Sequence, residues 1–256
     1  MLLLKWDCLP DEMKNESVRK YYDALKRKKA TLILKRIFDI VVSLIILIVL
    51  LPVFLILCIA IKVDSKGPIM FRQIRVTQYG REFKIFKFRT MVNNAERIGT
   101  QVTVKNDSRV TKVGKVLRKS RLDEIPQLLN IFYGDMSFVG TRPEVVKFVD
   151  HYTDQMMATL LLPAGVTSEA SIVYKDEEKI LTNASDADKT YVDVVLPEKM
   201  KYNLRSIEEL SILGEIKTMV RTVLAIFGKG INSETIVVIA TTKEEKIEKN
   251  KKNRND

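Results

Sequence analysis

The chain has 256 residues, an apolar content of 46%, 10 glycines and 7 prolines. This length suits one compact domain with extensions at either end, and the composition excludes a globally disordered chain. The net charge of +11 calls for an anionic partner such as a phosphorylated substrate, an anionic lipid surface or a nucleic acid. Cys8 and Cys58 lie in dissimilar settings, which excludes a disulfide framework and fits a reducing compartment.

The chain divides into four predicted parts. Residues 1–34 form an N-terminal basic segment with a lysine-rich, partly amphipathic stretch, which is expected either to lie on anionic lipid or to form a solvated helix. A membrane helix over residues 35–62 and a catalytic domain over residues 63–230 follow. Residues 231–256 form a charged tail, whose composition is typical of a solvated, disordered end.

The most apolar segment, residues 40–61, reads IVVSLIILIVLLPVFLILCIAI and contains no charge. A straight helix of this length spans roughly 33 Å, so we expect it to lie in a membrane. Basic residues flank both of its ends, and the positive-inside rule therefore places both ends in the cytoplasm. A helix that is bent at Pro52, and that enters and leaves the membrane by the cytoplasmic face, places both basic flanks in the cytoplasm. A single span followed by a loop that is basic for substrate binding stays open as the alternative.

A β-hairpin is predicted next, because residues 69–77 and 82–89 alternate apolar and basic side chains around a Tyr-Gly-Arg turn. Phe71 and Ile85 are expected among apolar contacts, and four cations are expected to project elsewhere: Arg72, Arg75, Lys84 and Lys87.

Helical periodicity then predicts helices over residues 92–99, 111–118, 122–133, 143–162, 189–206 and 208–227. The predicted fold class is α+β and mostly helical, with a membrane helix, a small hairpin and a cytoplasmic helical catalytic domain.

The candidate chemistry centres on two adjacent carboxylates, Asp123 and Glu124, at the predicted start of a helix. The helix N-terminus and the preceding cations are expected to lower both carboxyl pKa values and to keep both groups ionised. An ionised aspartate can attack phosphorus, and a neighbouring glutamate can hold a divalent cation against a diphosphate. An acidic pair at a helix start is also common as favourable placement against the helix dipole alone.

Seven arginines around this pair are candidates for binding phosphate oxygens with their forked donors. They are Arg72, Arg75, Arg89, Arg109, Arg118, Arg121 and Arg142. So many arginines near one acidic pair exceed what surface solubility requires. His151 is the only histidine, which excludes a histidine-cluster zinc site and argues against a Ser-His-Asp hydrolase.

Six segments resemble, in order, those of the bacterial sugar transferase family, the monotopic phosphoglycosyl transferases, in its short form. They are KRIFD at residues 35–39, GPIMFRQIRV at 67–76, FKFRTM at 86–91, DSRVTKVGKVLRKSRLDEIPQLLNIFYGDMSFVG at 107–140, RP at 142–143 and PAGVTS at 163–168. Two departures stand out. Thr141 occupies a position where the family usually has proline, which puts the rigidity of the Arg142 loop in doubt, and PAGVTSEAS replaces the common PGITG pattern.

The resemblance implies transfer of a sugar-1-phosphate from a UDP-sugar to polyprenyl (undecaprenyl) phosphate with release of UMP. This would be the initiating membrane step of polysaccharide or glycoconjugate biosynthesis. The resemblance further implies that Asp123 forms a covalent phosphosugar intermediate in a ping-pong mechanism, that Glu124 is the Mg²⁺ ligand, that the arginines bind phosphates and that the re-entrant helix is broken at Pro52. The implied location is the bacterial inner membrane, with the catalytic domain on its cytoplasmic face and membrane lipid as a partner.

Two other functions are weighed against this one. A non-catalytic membrane-anchored regulator or scaffold of the same fold is the alternative, and the intact acidic pair and full arginine set argue against it. A nucleic-acid-binding protein would suit the charge, but no recognition helix, zinc site or aromatic-basic motif is visible, so no nucleic acid partner is predicted. The donor sugar and a homodimer stay open.

Overall fold

The structure is a computed structural model that describes residues 3–93, 95, 107–175, 177, 181 and 186–226. Its helices are α1 (Glu16–Arg27), α2 (Lys29–Asp64), α3 (Lys112–Ser120), α4 (Gln127–Tyr133), α5 (Val146–Val149), α6 (Glu169–Val173), α7 (Ala187–Thr190), α8 (Leu196–Glu208) and α9 (Ile212–Ile226). Its strands are β1 (Met70–Val76), β2 (Glu82–Phe88), β3 (Met136–Val139) and β4 (Ala164–Thr167). A mostly helical fold with a small hairpin and one long apolar helix is thereby confirmed.

Short turns of other helix types connect these elements. The 3-10 helices lie at Trp6–Cys8, Asp11–Met13, Gln78–Gly80, Leu122–Glu124 and Met156–Leu161, and a π-helical turn at Tyr191–Val195 joins α7 to α8. Most of the helix predicted over residues 92–99, and the whole of the predicted tail over 231–256, lie outside the described residues.

The N-terminal segment packs onto the globular part of the protein. Asn15 caps α1, since its side-chain oxygen accepts a hydrogen bond from the Val18 amide nitrogen at 2.9 Å. Val18 and Leu25 on the apolar face of α1 are fully buried, in one cluster with residues of α8 and of the 3-10 helix Met156–Leu161. The apolar face of α1 is therefore covered by protein, and contact of the basic side chains of this segment with anionic lipid stays a prediction.

α2 is one continuous helix of 36 residues. It is the one helix of the described residues that is long and apolar enough to cross a membrane. Pro52 lies inside it, and helical structure continues on both sides of this residue. The bend at Pro52 stays a prediction. The predicted boundary at residue 35 falls inside α2, because the helix already begins at Lys29.

The N-terminal part of α2 is anchored to the globular part by three polar residues of the KRIFD segment. Lys35 is fully buried; it donates to a β3 carbonyl oxygen at 2.9 Å and forms an ion pair with Glu215 of α9. Arg36 donates to two carbonyl oxygens at the end of α4, at 2.7 and 2.9 Å. Asp39 accepts a hydrogen bond from a β3 amide nitrogen at 3.2 Å. These bonds satisfy backbone groups that would otherwise be buried without partners.

The C-terminal end of α2 is anchored as well. Asp64 accepts a hydrogen bond from the Val113 amide nitrogen in the first turn of α3, at 2.9 Å. Arg89, which follows β2, donates to the Ser65 carbonyl oxygen at 2.6 Å and to the Ser65 hydroxyl at 2.8 Å. Ile61 is buried with apolar residues of β2 and α3. Both ends of α2 therefore contact the same globular part.

One face of α2 stays exposed between these anchors. Ile48, Val49, Ile56 and Ile59 are between 63% and 68% exposed. Helix α9, which contacts α2, also exposes apolar side chains, with Leu213 at 81%. Apolar surface of this extent is typical of a membrane or protein contact.

Strands β1 and β2 form the predicted hairpin and end within one residue of the predicted bounds. Their antiparallel register pairs Gln73 with Ile85 and Phe71 with Lys87. Because paired residues share a face and successive residues alternate between faces, Arg75 and Lys87 lie on the same face as the buried Ile85. The prediction that these two cations project away from that face is wrong.

Strands β3 and β4 form a parallel pair that the sequence analysis did not predict. The segment between them also differs from the prediction of one helix over residues 143–162. It contains only α5 and the 3-10 helix Met156–Leu161, joined by a turn. The segment turns because Phe148 and Met156 pack on the cluster around Tyr191, whereas Ala158 belongs to the separate cluster that covers α1.

Candidate active site

The acidic pair lies on the tight connection between α3 and α4. Arg121 ends α3 in the left-handed conformation, with a φ of 58° that is uncommon for a residue with a side chain. The 3-10 helix Leu122–Glu124 follows directly, and α4 begins after Pro126. The single helix predicted over residues 122–133 is therefore two short helices, and Asp123 and Glu124 are fixed on the turn before α4.

Glu124 binds two cations through one oxygen. Its Oε1 lies 3.0 Å from Lys87 Nζ and 2.8 Å from Arg142 Nη2. Burial alone would raise the pKa of the Glu124 carboxyl, but the charges of Arg142 and Lys87 outweigh burial and hold this pKa well below its usual range. The lowered pKa predicted for Glu124 is confirmed.

The surroundings act on Asp123 in the opposite direction. Burial, together with repulsion from the Glu124 carboxylate, raises the pKa of Asp123, and the charges of Lys87 and Arg118 offset only part of this effect. The lowered pKa predicted for Asp123 is therefore wrong. The prediction counted the nearby cations but not the desolvation, and Glu124 takes up two of the cations directly.

Lys87 is a site residue that the sequence analysis did not select. It lies two residues after the buried Ile85, so the strand alternation of β2 carries it to the same face. Burial lowers the pKa of the Lys87 amine, and the Glu124 carboxylate acts against that effect. The sequence did contain the signal: side chains of a β-strand alternate between its two faces, so residues 83, 85 and 87 lie on one face.

Three of the seven predicted arginines belong to this site. Arg142 contacts Glu124 directly. Arg75 donates to the Pro143 carbonyl oxygen at 3.2 Å, and the charges of Arg142 and Glu124 both act on its guanidinium. Arg118 donates to the Thr90 hydroxyl at 2.9 Å, and its charge acts on Asp123.

Three of the other four arginines make contacts elsewhere. Arg89 binds the C-terminal end of α2, and Arg109 forms an ion pair with Asp107 at 2.6 Å. Arg72 lies over the Phe86 ring, at 5.3 Å from its centroid, on the hairpin face opposite Lys87. Arg121 is exposed at the end of α3. Phosphate binding by these four side chains stays a prediction.

The two adjacent carboxylates are also the candidate metal ligands. Among the described residues, no group of three or more His, Cys, Asp or Glu side chains gathers as in an all-protein metal cage. Mg²⁺ is commonly held by one or two carboxylates together with substrate phosphates and water. Asp123 and Glu124 supply that number of carboxylates, so the donor set fits a Mg²⁺ ion whose ligand shell the substrate completes.

A family model described as bacterial sugar transferase matches residues 30–229. This range contains all of α2 except Lys29, the hairpin, the acidic pair, the Arg142 loop and α9. The chain belongs to the bacterial sugar transferase family. The family predicted from the six segments is confirmed.

Three bacterial sugar transferases illustrate the likeness. The chain is 38% identical over 199 residues to UDP-N-acetylgalactosamine-undecaprenyl-phosphate N-acetylgalactosaminephosphotransferase of Aeromonas hydrophila, which covers 76% of this chain and 44% of that protein. It is 42% identical over 146 residues to UDP-glucose:undecaprenyl-phosphate glucose-1-phosphate transferase of Klebsiella pneumoniae, covering 55% and 31%, and 35% identical over 196 residues to the Escherichia coli K12 protein of the same name, covering 75% and 39%. The chain therefore spans less than half the length of these relatives.

Proposed function

We propose that this protein transfers a sugar-1-phosphate from a UDP-sugar to polyprenyl phosphate, releases UMP and so initiates polysaccharide or glycoconjugate assembly. The observation that carries the proposal is the electrostatic asymmetry of the acidic pair. Glu124 is held ionised by Lys87 and Arg142, whereas Asp123 is partly desolvated beside it. The three relatives are named as transferases that act on UDP-sugars and undecaprenyl phosphate, which supports the same reaction.

The first step assigned to this site is attack by an Asp123 carboxylate oxygen on the sugar-bearing phosphorus. The bond from that phosphorus to the bridging oxygen breaks, and UMP leaves with the electron pair. In the second step, a phosphate oxygen of polyprenyl phosphate attacks the same phosphorus, and the bond to Asp123 breaks. A covalent nucleophile divides one difficult displacement into two easier ones.

The cations around the pair stabilise the charge that these steps move. Arg142 and Lys87 reach Glu124 from two different elements, and Arg118 and Arg75 carry their charges beside them. Guanidinium groups bind phosphate oxygens with two parallel donors, so this arrangement suits a diphosphate. A Mg²⁺ ion held by Glu124 would offset further negative charge on the departing diphosphate.

The contacts of α2 support the re-entrant arrangement over a simple span. Lys35 and Ile61 are 26 positions apart, which is about 39 Å along a straight helix, yet both ends of α2 form hydrogen bonds with the same globular part. A helix that crossed the bilayer would place one of these ends on the opposite surface. We therefore propose that the exposed apolar face of α2 inserts into the cytoplasmic leaflet of the inner membrane. Both ends of α2 would then lie on the cytoplasmic side.

The reaction is tested by incubating the purified protein with a panel of UDP-sugars and Mg²⁺, with and without polyprenyl phosphate. We expect UMP release from at least one donor and formation of a lipid-linked sugar diphosphate only when polyprenyl phosphate is present. Release of UDP would contradict the proposal, because it indicates transfer of the sugar without its phosphate. The donor that reacts also identifies the sugar.

A further inference from the structure

The Arg142 side chain comes from the loop of residues 140–144, which follows β3. The backbones of this loop and of β4 approach each other closely: the Gly140 amide donates to the Thr167 carbonyl oxygen at 3.0 Å, and the Gly165 amide donates to the Thr141 carbonyl oxygen at 2.8 Å. A Cβ atom at Gly165 would lie 2.2 Å from the Gly140 nitrogen, so this approach requires glycine. The first half of the loop is thus fixed by backbone contacts.

The second half of the loop is fixed by β1. The Val76 amide donates to the Glu144 carbonyl oxygen at 3.0 Å, and Arg75 donates to the Pro143 carbonyl oxygen at 3.2 Å. These contacts hold the Glu144 backbone, and they leave its side chain directed toward the C-terminal part of the chain.

The Glu144 carboxylate enters a buried polar network there. The Tyr191 hydroxyl donates to Glu144 Oε1 at 2.5 Å, and Lys199 Nζ donates to the same hydroxyl at 3.1 Å. Lys199 Nζ also lies 3.7 Å from Glu144 Oε1 and 3.0 Å from Glu177 Oε2. Glu144, Tyr191 and Lys199 are each more than nine-tenths buried. We call these three residues the Glu144 network.

A buried network of this kind costs free energy unless every member has a partner, so its position needs a reason. The network lies behind the loop that presents Arg142, and the charge of its one carboxylate, Glu144, acts on both Arg142 and Arg75. Its tyrosine comes from the π-helical turn Tyr191–Val195, and such turns are frequent at functional sites.

Resting on the proposed function, we infer that the Glu144 network is a positioning device that holds Arg142 against Glu124. It takes over the rigidity that a proline at position 141 would otherwise supply. Arg142 remains the group that contacts the reacting phosphates. Glu144 acts through it from the same loop, and Tyr191 and Lys199 act through it from a segment more than 45 residues further along the chain.

The test compares Tyr191→Phe with Tyr174→Phe as a matched control. Tyr191→Phe removes the hydroxyl and keeps the ring that packs on Phe148 at 4.6 Å. Tyr174 packs against the same cluster and stacks edge-on against Tyr202. We expect Tyr191→Phe to lower kcat about ten-fold with little change in KM for the UDP-sugar, as removal of outer supporting contacts commonly does. The control is expected to retain activity, and Glu144→Gln is expected to reproduce the effect of Tyr191→Phe.

A double-mutant cycle separates positioning from general damage. If Tyr191 acts through Arg142, adding Tyr191→Phe to Arg142→Lys should cost less than about two-fold in kcat, because the group being positioned is already altered. A full additional ten-fold loss in the Arg142→Lys background would contradict the inference. Equal activity of Tyr191→Phe and wild type would contradict it as well.

Hydrogen exchange tests the same inference without relying on turnover. We expect faster exchange in the peptide that covers residues 140–149 in Tyr191→Phe than in Tyr174→Phe, with other peptides unchanged. Equal exchange in the two variants would overturn the inference. If the wild-type protein released no UMP from any UDP-sugar, the proposed function would fail, and the exchange result would still decide whether the network holds the loop.

Discussion

At the scale of single residues, the two neighbouring carboxylates of the acidic pair have opposite electrostatic surroundings. Glu124 shares one oxygen with Lys87 and Arg142, and its pKa is lowered. Asp123 is left with burial and a negative neighbour, and its pKa is raised. Groups with divergent pKa values within one site commonly have different roles in catalysis. In the proposed mechanism, this divergence separates a charge-organising residue, Glu124, from the nucleophile, Asp123.

Replacing Glu124 by glutamine is expected to destabilise the fold. The change leaves Lys87 and Arg142 without their shared carboxylate, which costs on the order of 3 kcal/mol for a buried ion pair. Because the pKa of Glu124 is lowered in the fold, the stability it contributes is present above its ordinary value of 4.5 and is lost as pH falls. Thermal unfolding in detergent should therefore show a smaller loss of stability on acidification in Glu124→Gln than in wild type. Glu82→Gln, at an exposed position of β2, is the control and should behave as wild type.

The raised pKa of Asp123 predicts an acid limb in the rate of UMP release. Only the ionised carboxylate attacks phosphorus, so the single-turnover rate should fall as pH drops through that pKa, above the ordinary value of 3.8. Lys87→Met removes a charge that favours the ionised form and should move this limb to higher pH. A limb that stays in place, or moves to lower pH, would contradict the assigned role of Lys87.

At the scale of elements, the parts that could be predicted from the sequence are those whose pattern is local. The hairpin was located within one residue because its strands alternate around a turn, and α2 was located by its uncharged run. The parallel pair of β3 and β4 was missed, because residues 136–139 and 164–167 form strands by pairing with each other across a long stretch of chain. This pairing leaves no local pattern in either segment. Lys87 was missed for a related reason: its role depends on register and on the distant Glu124.

The anchoring of both ends of α2 predicts the result of a cysteine-accessibility experiment. In a protein lacking Cys8 and Cys58, single cysteines at Ala30 and Lys66 should both be protected from a membrane-impermeant maleimide in intact cells. Both should react after lysis, because the two ends of α2 are expected on the cytoplasmic side. A cysteine at Val49, on the exposed apolar face, is the control for a position within lipid and should resist labelling in both conditions. Labelling of only one end in intact cells would exclude the re-entrant arrangement.

At the scale of the whole molecule, the membrane helix and the catalytic part form one packed unit. Helix α1 is buried against α8, the polar residues at the start of α2 bind α4, β3 and α9, and the end of α2 caps α3. The apolar faces of α2 and α9 stay exposed, and in the proposed arrangement these faces contact lipid. The acidic pair follows α3 directly, so in the proposed re-entrant arrangement the depth of α2 in the leaflet would set the height of Asp123 relative to a lipid phosphate.

The most direct test of the central claim is the mass of the intact protein after incubation with a reactive UDP-sugar in the absence of polyprenyl phosphate. The wild-type protein is expected to gain the mass of one sugar phosphate and to lose it when polyprenyl phosphate is added. Asp123→Asn, which removes a charge that is costly to bury and should unfold at a temperature no lower than wild type, is expected to gain no mass. An adduct that still forms on Asp123→Asn would contradict the account.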